Sequence, residues 1–154
     1  MRLAVIGGGS TYTPELIDGV LRRRDRLPIT EIALCDINTE RLDIVAGFAR
    51  RMVAHSGGGI TIHTTSSQAE AVRGARFVVS QFRIGQQAAR HRDELLGREF
   101  NLVGQETVGV GGFAKGLRTI PVALKLADTI LAEAPDAQLL NFTNPAGMIT
   151  EALL

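Results

Sequence analysis

Leu3-Ala4-Val5-Ile6-Gly7-Gly8-Gly9-Ser10 runs from four apolar residues into three glycines and a serine. A short apolar run bounded by glycine reads as a strand buried on both faces, and the glycines as the tight turn that leaves it. Beyond the turn, Leu16, Ile17, Val20 and Leu21 fall at helical spacing, which predicts a helix from Pro14 to Arg24. Pro14 suits the first turn of that helix, where a missing N–H costs nothing. Strand, glycine turn and helix together open a βαβ unit.

The remainder repeats the theme. Ile29 to Asp36 predicts a second strand, and Thr39 to about His55 a second helix. A short third strand is expected at Ile60 to Thr64, a short helix at Ser67 to Val72 behind a serine cap, and a fourth strand at Phe77 to Gln81. Ile84 to Phe100 reads as mostly helix, Asn101 to Gly116 as a glycine-rich loop, and Leu117 to Ala134 as a long amphipathic helix. Gln138 to Phe142 gives a fifth strand, and a further helix starts at Ala146. Apolar strands alternating with helices predict an α/β fold, a doubly wound parallel sheet covered on both faces and Rossmann-like in type. Ala152-Leu153-Leu154 carries no glycine, asparagine or proline to close its helix, and such sheets usually run to a sixth strand. Residues 1–154 are therefore expected to form one Rossmann-like domain of a larger protein, cut before its sixth strand.

Composition narrows the class. A length of 154 residues suits a single core, and 45% hydrophobic against 21% charged residues excludes disorder. A net charge of +1 offers no electrostatic footprint for nucleic acid or an acidic membrane. Cys35, the lone cysteine, excludes an intrachain disulfide and a cysteine-based zinc cluster. No stretch approaches the roughly 20 apolar residues of a membrane span, and Leu3–Ile6 is too short for a signal peptide. A soluble cytoplasmic protein with no nucleic-acid or membrane partner is expected.

Gly7-x-Gly9 between a strand and a helix is the setting of a dinucleotide turn, where a residue without Cβ lets pyrophosphate approach the backbone at a helix N-terminus. The third glycine of the usual pattern is replaced by Tyr12. Asp36 supports the reading, because an acid closing the second strand is placed to accept from ribose hydroxyls. No arginine directly follows Asp36 to receive a 2′-phosphate, which favours NAD over NADP.

Gly7-Gly8-Gly9-Ser10-Thr11-Tyr12-Thr13-Pro14-Glu15-Leu16 resembles the opening of the NAD-dependent glycoside hydrolases of family 4, and among them the 6-phospho-β-glucosidases most. Three further blocks resemble the family in order and spacing: Gln81-Phe82-Arg83 with Arg90-x-x-Asp93-Glu94, Gly104-Gln105-Glu106-Thr107-x-Gly109-x-Gly111-Gly112, and Asn141-Phe142-Thr143-Asn144-Pro145. The family is an exception to the two-carboxylate rule of glycosidases. The resemblance implies hydrolysis of a 6-phospho-β-glucoside by a redox route. NAD+ oxidises C3 of the sugar, Mn2+ polarises the C2 and C3 oxygens, and a tyrosine base removes the C2 proton. The aglycone is eliminated, water adds, and the hydride returns.

It further implies cofactor contacts from Gly7, Gly9, Ser10, Thr11, Asp36 and Asn141, and substrate contacts from Arg90, Glu106 and Asn144. Arg90 would grip the 6-phosphate, for which a guanidinium fork is suited. The family's metal-binding cysteine and histidine, and its base tyrosine, lie C-terminal to the Asn-Pro motif. The resemblance thus assigns no catalytic or metal residue to this chain, and cofactor binding without turnover is expected of it alone. Family members are usually homo-oligomers.

Several residues also have plainer readings. Cys35 is expected to fill the core, and His55, His63 and His91 show no metal-ligand spacing. Arg22-Arg23-Arg24-Asp25-Arg26 is expected in the last turn of the first helix as a solvated basic face. Arg90 and Asp93 stand at i, i+3, the spacing of a surface ion pair. Gly109-x-Gly111-Gly112 is expected to be backbone packed close to a ligand. Two other functions stay open: an NAD-dependent 2-hydroxy acid dehydrogenase-like domain, whose arginine and histidine pair is not evident, and a non-catalytic NAD-binding module.

Overall fold

Five strands and six helices alternate in the computed structural model, which describes residues 1–154: β1 (Arg2–Ile6), α1 (Thr13–Leu21), β2 (Glu31–Cys35), α2 (Thr39–His55), β3 (Thr61–Thr65), α3 (Gln68–Val72), β4 (Phe77–Ser80), α4 (Gln86–Glu99), α5 (Gly109–Glu133), β5 (Gln138–Asn141) and α6 (Ala146–Leu153). The strands form one sheet in the order β3-β2-β1-β4-β5. β1 pairs in parallel with β2 and β4, and β2 with β3, in the register Ile6↔Cys35↔Thr65. This is the expected Rossmann-like sheet. Its strand order reverses between β1 and β4, and ligands of open α/β sheets collect beyond the strand ends at such a reversal.

Local chemistry sets the ends of the elements. Pro14 occupies the first turn of α1. Asn38 caps α2 by accepting from Arg41 N–H (3.0 Å), and Ser67 caps α3 by accepting from Glu70 N–H (3.3 Å). β1 and β2 are buried over four successive residues each, as strands covered on both faces must be. β3, at the sheet edge, buries only Ile62 fully, which explains its polar sequence.

The chain divides into two compact units, residues 1–82 with 129–140, and residues 83–128 with 141–154. The first holds the principal apolar core, in which Val5, Ile17, Ile32, Leu34 and Leu42 are sealed from solvent. Truncating such a side chain typically costs about 2–5 kcal/mol. In the second, Ala89, Ala123, Leu126 and Ile149 are buried, as are the polar Asp93, Lys115, Thr119 and Thr143. No helix is long and apolar enough to cross a membrane.

Two expectations are corrected. The segment from Gly109 to Gly116 is the first part of α5 and not loop. A Cβ at Gly111 would meet Gln105 O and lie 2.8 Å from Asp93 O, and one at Gly112 would meet the Thr107 carbonyl. These glycines let a helix lie against its own chain, and that packing outweighs the roughly 1 kcal/mol that each glycine costs a helix. The basic run from Arg22 to Arg26 lies past the end of α1, so it does not line the last helical turn; Arg22 is the C-cap and pairs with Asp18 (2.8 Å).

Candidate functional site

The turn after β1 is built from close backbone approaches. Gly7 has φ +95°, and a Cβ there would lie 2.8 Å from the backbone of Gln81. Both Gly7 N–H and Gly8 N–H donate to Cys35 O at 2.8 Å, which ties the turn to the end of β2. A Cβ on Gly8 would lie 2.8 Å from Leu34 Cβ, so the middle glycine is as constrained as its neighbours. Tyr12, in the place of the third glycine, is 55% exposed. Nothing packs closely there, which is why a large side chain is tolerated.

Asp36 meets this turn directly. Its Oδ2 accepts from Gly9 N–H (2.9 Å) and its Oδ1 from Asn38 N–H (3.0 Å), so the carboxylate is held by both oxygens. Each oxygen retains lone-pair capacity for a further donor. Ser10 N–H donates to Gly7 O (3.0 Å), Tyr12 N–H to Ser10 Oγ (3.1 Å), and Thr13 N–H to Ser10 O (3.1 Å). Of the backbone donors from Gly7 to Thr13, only that of Thr11 lacks an acceptor in the chain. Cys35 is buried, as expected; burial, and then the charges of Asp36 and Glu70, push its thiol up to about 11, so it stays neutral.

The fit to a dinucleotide can be judged on these features. A tight glycine turn, an unspent N–H just before α1 and a fixed carboxylate suit a pyrophosphate beside a ribose. No group of three or more His, Cys, Asp or Glu able to hold a metal ion occurs in the structure.

The second unit gathers a charge cluster. Glu106 Oε1 lies 2.5 Å from Lys115 Nζ and 2.7 Å from Arg83 Nη1, and its Oε2 lies 3.4 Å from Arg90 Nη2. Arg90, on α4, also donates from Nε to Glu94 Oε1 (2.7 Å). Burial raises the affinity of Glu106 for a proton, but the Lys115 hydrogen bond and the Lys115, Arg83 and Arg90 charges outweigh it and hold the carboxyl below its usual range. Burial lowers the Lys115 pKa, and Glu106 only partly restores it. The Lys115 side chain is 4% exposed. Three cations thus face two carboxylates, leaving one positive charge in excess.

Arg90 and Asp93, although at ion-pair spacing, do not pair. Asp93 receives Arg118 in a two-pronged bond (2.6 and 3.1 Å), and Arg118 Nε donates to Ile84 O (3.0 Å). The two parallel bonds from Arg118 use both carboxylate oxygens of Asp93, the stronger form of an arginine–carboxylate pair.

Asn141 ends β5. Its side chain donates to Ala146 O (3.4 Å) and Thr150 Oγ1 (3.2 Å) and accepts from Thr143 N–H (3.0 Å), bracing the loop that leads into α6. Asn144 lies in that loop before a cis peptide bond to Pro145.

A profile of the family 4 glycosyl hydrolases matches residues 2–154. The chain belongs to that family. Within family 4 it is 50% identical over 156 residues to a probable 6-phospho-β-glucosidase of Bacillus subtilis, covering 100% of this chain and 35% of that protein. The structure of a 6-phospho-β-glucosidase from Thermotoga maritima with manganese, NAD+ and glucose-6-phosphate matches at a TM-score of 0.93 and 41% identity, covering 98% of this chain and 36% of the other. A 6-phospho-α-glucosidase from gut microorganisms, in complex with NAD and Mn2+, matches at a TM-score of 0.93 and 32% identity over 99% of this chain and 35% of that one. The chain spans about a third of the length of the curated relatives it matches.

Reasoning from sequence assigned no role to Gln81, Arg83, Thr13, Lys115 or Arg118. A signal existed for Lys115, which is the only charge between Glu106 and Arg118 in a run of small and apolar residues. Gln81 and Arg83 directly follow an apolar strand, on the side where an α/β sheet binds ligands.

Proposed function

We propose that residues 1–154 are the NAD-binding, Rossmann-like part of a cytoplasmic, homo-oligomeric 6-phospho-β-glucosidase that works by transient oxidation of its sugar, with metal ligands and catalytic base supplied by other residues. The observation that carries this reading is the contact between Gly9 and Asp36, which sets the glycine turn beside a carboxylate. Membership of family 4 turns that general cofactor signal toward a phosphorylated glucoside. When bound, NAD would supply a reversible hydride acceptor, and a sugar carbon oxidised by it to a carbonyl would lend acidity to the C–H beside it.

The chain's own residues bind and orient. The turn of Gly7 and Gly9 receives the pyrophosphate, with Thr11 N–H and Ser10 facing it just before α1, where the helix dipole favours an anion. Asp36 accepts from ribose hydroxyls. Arg90 takes the 6-phosphate with the excess positive charge of its cluster, and Glu106 fixes the direction of the Arg83 and Arg90 guanidinium groups. Asn144 bonds sugar hydroxyls, and Asn141 serves the cofactor side through the loop it braces.

Calorimetric titration of the full-length protein with NAD and with glucose 6-phosphate tests the reading. Arg90→Ala is expected to lose glucose 6-phosphate binding and to keep NAD binding. Unchanged sugar-phosphate affinity in that variant would remove the Arg90 assignment, and absence of NAD binding to the parent would remove the function.

A further inference from the structure

We infer that Gln81 is a positioning residue for the cofactor turn and acts through Thr13. The inference rests on the NAD reading above and goes past it, by naming what fixes the direction of the turn's polar groups.

A diphosphate docked on a backbone turn needs N–H groups presented and carbonyl oxygens engaged elsewhere, since a free carbonyl repels phosphate oxygens. The carbonyls of Gly7 and Gly8 are both engaged. Gln81 Nε2 donates to Gly7 O (3.2 Å) and to Thr13 Oγ1 (2.8 Å), and Thr13 Oγ1 in turn donates to Gly8 O (2.9 Å). The direction of this relay is set by chemistry. An amide nitrogen only donates, so the hydroxyl must accept from it and spend its single hydrogen on Gly8 O. Thr13 is fully buried, hence water cannot take over either bond. What remains unspent along the turn is the N–H of Thr11.

The clasp joins distant segments. Gln81 stands just past β4, and Thr13 is the first residue of α1, so the relay spans the reversal of strand order between β1 and β4. Gln81 N–H also donates to Ile6 O (2.9 Å), which carries the β1–β4 pairing one residue further and holds the amide in place. Close packing at Gly7, whose absent Cβ would strike the Gln81 backbone, keeps the two segments in contact. Tyr12 stands where a third glycine would usually bring helix and strand together, and the Gln81–Thr13 relay supplies that tie by hydrogen bonds.

The test uses the full-length protein with ADP-ribose and adenosine as probes, each competed against NAD. Adenosine reports on Asp36 and the ribose side, and ADP-ribose adds the pyrophosphate. Gln81→Met keeps length and neutrality but removes both donors; it is expected to weaken ADP-ribose by about tenfold, the scale of one or two lost hydrogen bonds, with adenosine within about twofold. Thr13→Val is expected to match it, Thr13→Ser to restore parental binding, and the Gln81→Met/Thr13→Val double variant to lose no more than either single one. Equal loss of both probes, or an unchanged ADP-ribose affinity, would overturn the inference. Should Gln81→Met not fold, the Thr13→Val and Thr13→Ser pair decides by the same ratio of probes. A parent that binds neither NAD nor ADP-ribose would remove the cofactor reading and this inference together, an outcome distinct from loss in the variants alone.

Discussion

Gly9 donates its backbone N–H to Asp36 Oδ2 over 2.9 Å, joining the turn after β1 to the residue that follows β2. The same carboxylate accepts from Asn38 N–H at the head of α2, so one side chain orients a turn and a helix start. Its position therefore affects both the fold and any ribose that reaches it.

Asp36→Ala is expected to weaken NAD binding by about 10- to 100-fold, the range for loss of a hydrogen bond to a charged group. The fold should survive, because Asn38 is exposed and the half-buried Asp36 side chain, once removed, leaves space for water beside the buried Gly9 N–H. NAD titration alongside a thermal melt checks this. Equal titration curves for variant and parent would show that Asp36 serves only the turn.

Gly8 yields a sharper structural prediction. A Cβ there would come within 2.8 Å of Leu34 Cβ and 3.1 Å of Cys35 N, at the buried C-terminal end of β2. Gly8→Ala is expected to destabilise by about 1–3 kcal/mol, the usual cost of overpacking a filled core. Urea unfolding measures it, and a change below about 0.5 kcal/mol, the range of an ordinary surface substitution, would show that β1 and β2 part easily at their ends.

The contrast between Gly8 and Gly9 shows how far the sequence could be read. Gly7, Gly9 and Asp36 announce themselves through a local pattern, strand then turn then helix, with an acid after the next strand. Caps at Asn38 and Ser67 are similarly local. Gly8 carried no separate signal, since its constraint comes from Leu34, a residue on another strand. Gly109 to Gly116 misled for a related reason: glycine disfavours a helix by itself, and only the backbone of Asp93, Gln105 and Thr107 lying alongside makes it necessary. The Arg83–Glu106–Lys115 cluster and the Gln81–Thr13 relay depend on tertiary proximity, which no spacing in the chain encodes.

Cys35 should control part of the alkaline behaviour. Its thiol ionises at an ordinary 9.0 when unfolded and at about 11 when folded, because burial and the nearby Asp36 and Glu70 charges oppose the thiolate. A raised acid pKa means that the folded state holds its proton longer. Stability is therefore full below about pH 9 and is lost as pH rises from there to about 11, at up to about 1.4 kcal/mol per pH unit. Comparison of the parent with Cys35→Ala by denaturant unfolding across that window isolates the contribution; parallel pH profiles would contradict it. Native Cys35 should also resist alkylation near neutral pH until the protein unfolds.

Lys115 and Glu106 supply the last prediction. Lys115→Met removes the cation nearest Glu106 and leaves Arg83 and Arg90 against Glu94 and Glu106, so the excess positive charge disappears. Loss of the buried Lys115–Glu106 bond is expected to cost about 1–3 kcal/mol, limited by the Arg83 and Arg90 contacts that Glu106 keeps. Glucose 6-phosphate binding by the full-length protein should weaken in Lys115→Met, an effect transmitted through the charge balance, since Lys115 Nζ is itself spent on Glu106. The acid limb carries the sign of the Glu106 shift. Its pKa lies below the ordinary 4.5, so its stabilisation is complete above about pH 4.5 and is lost as pH falls through the lower, folded value. Glu106→Gln should flatten that limb while leaving the alkaline limb of Cys35 untouched. If Lys115→Met kept full sugar-phosphate affinity and parental stability, the cluster would be a set of independent pairs, and the charge-balance account of Arg90 would fail.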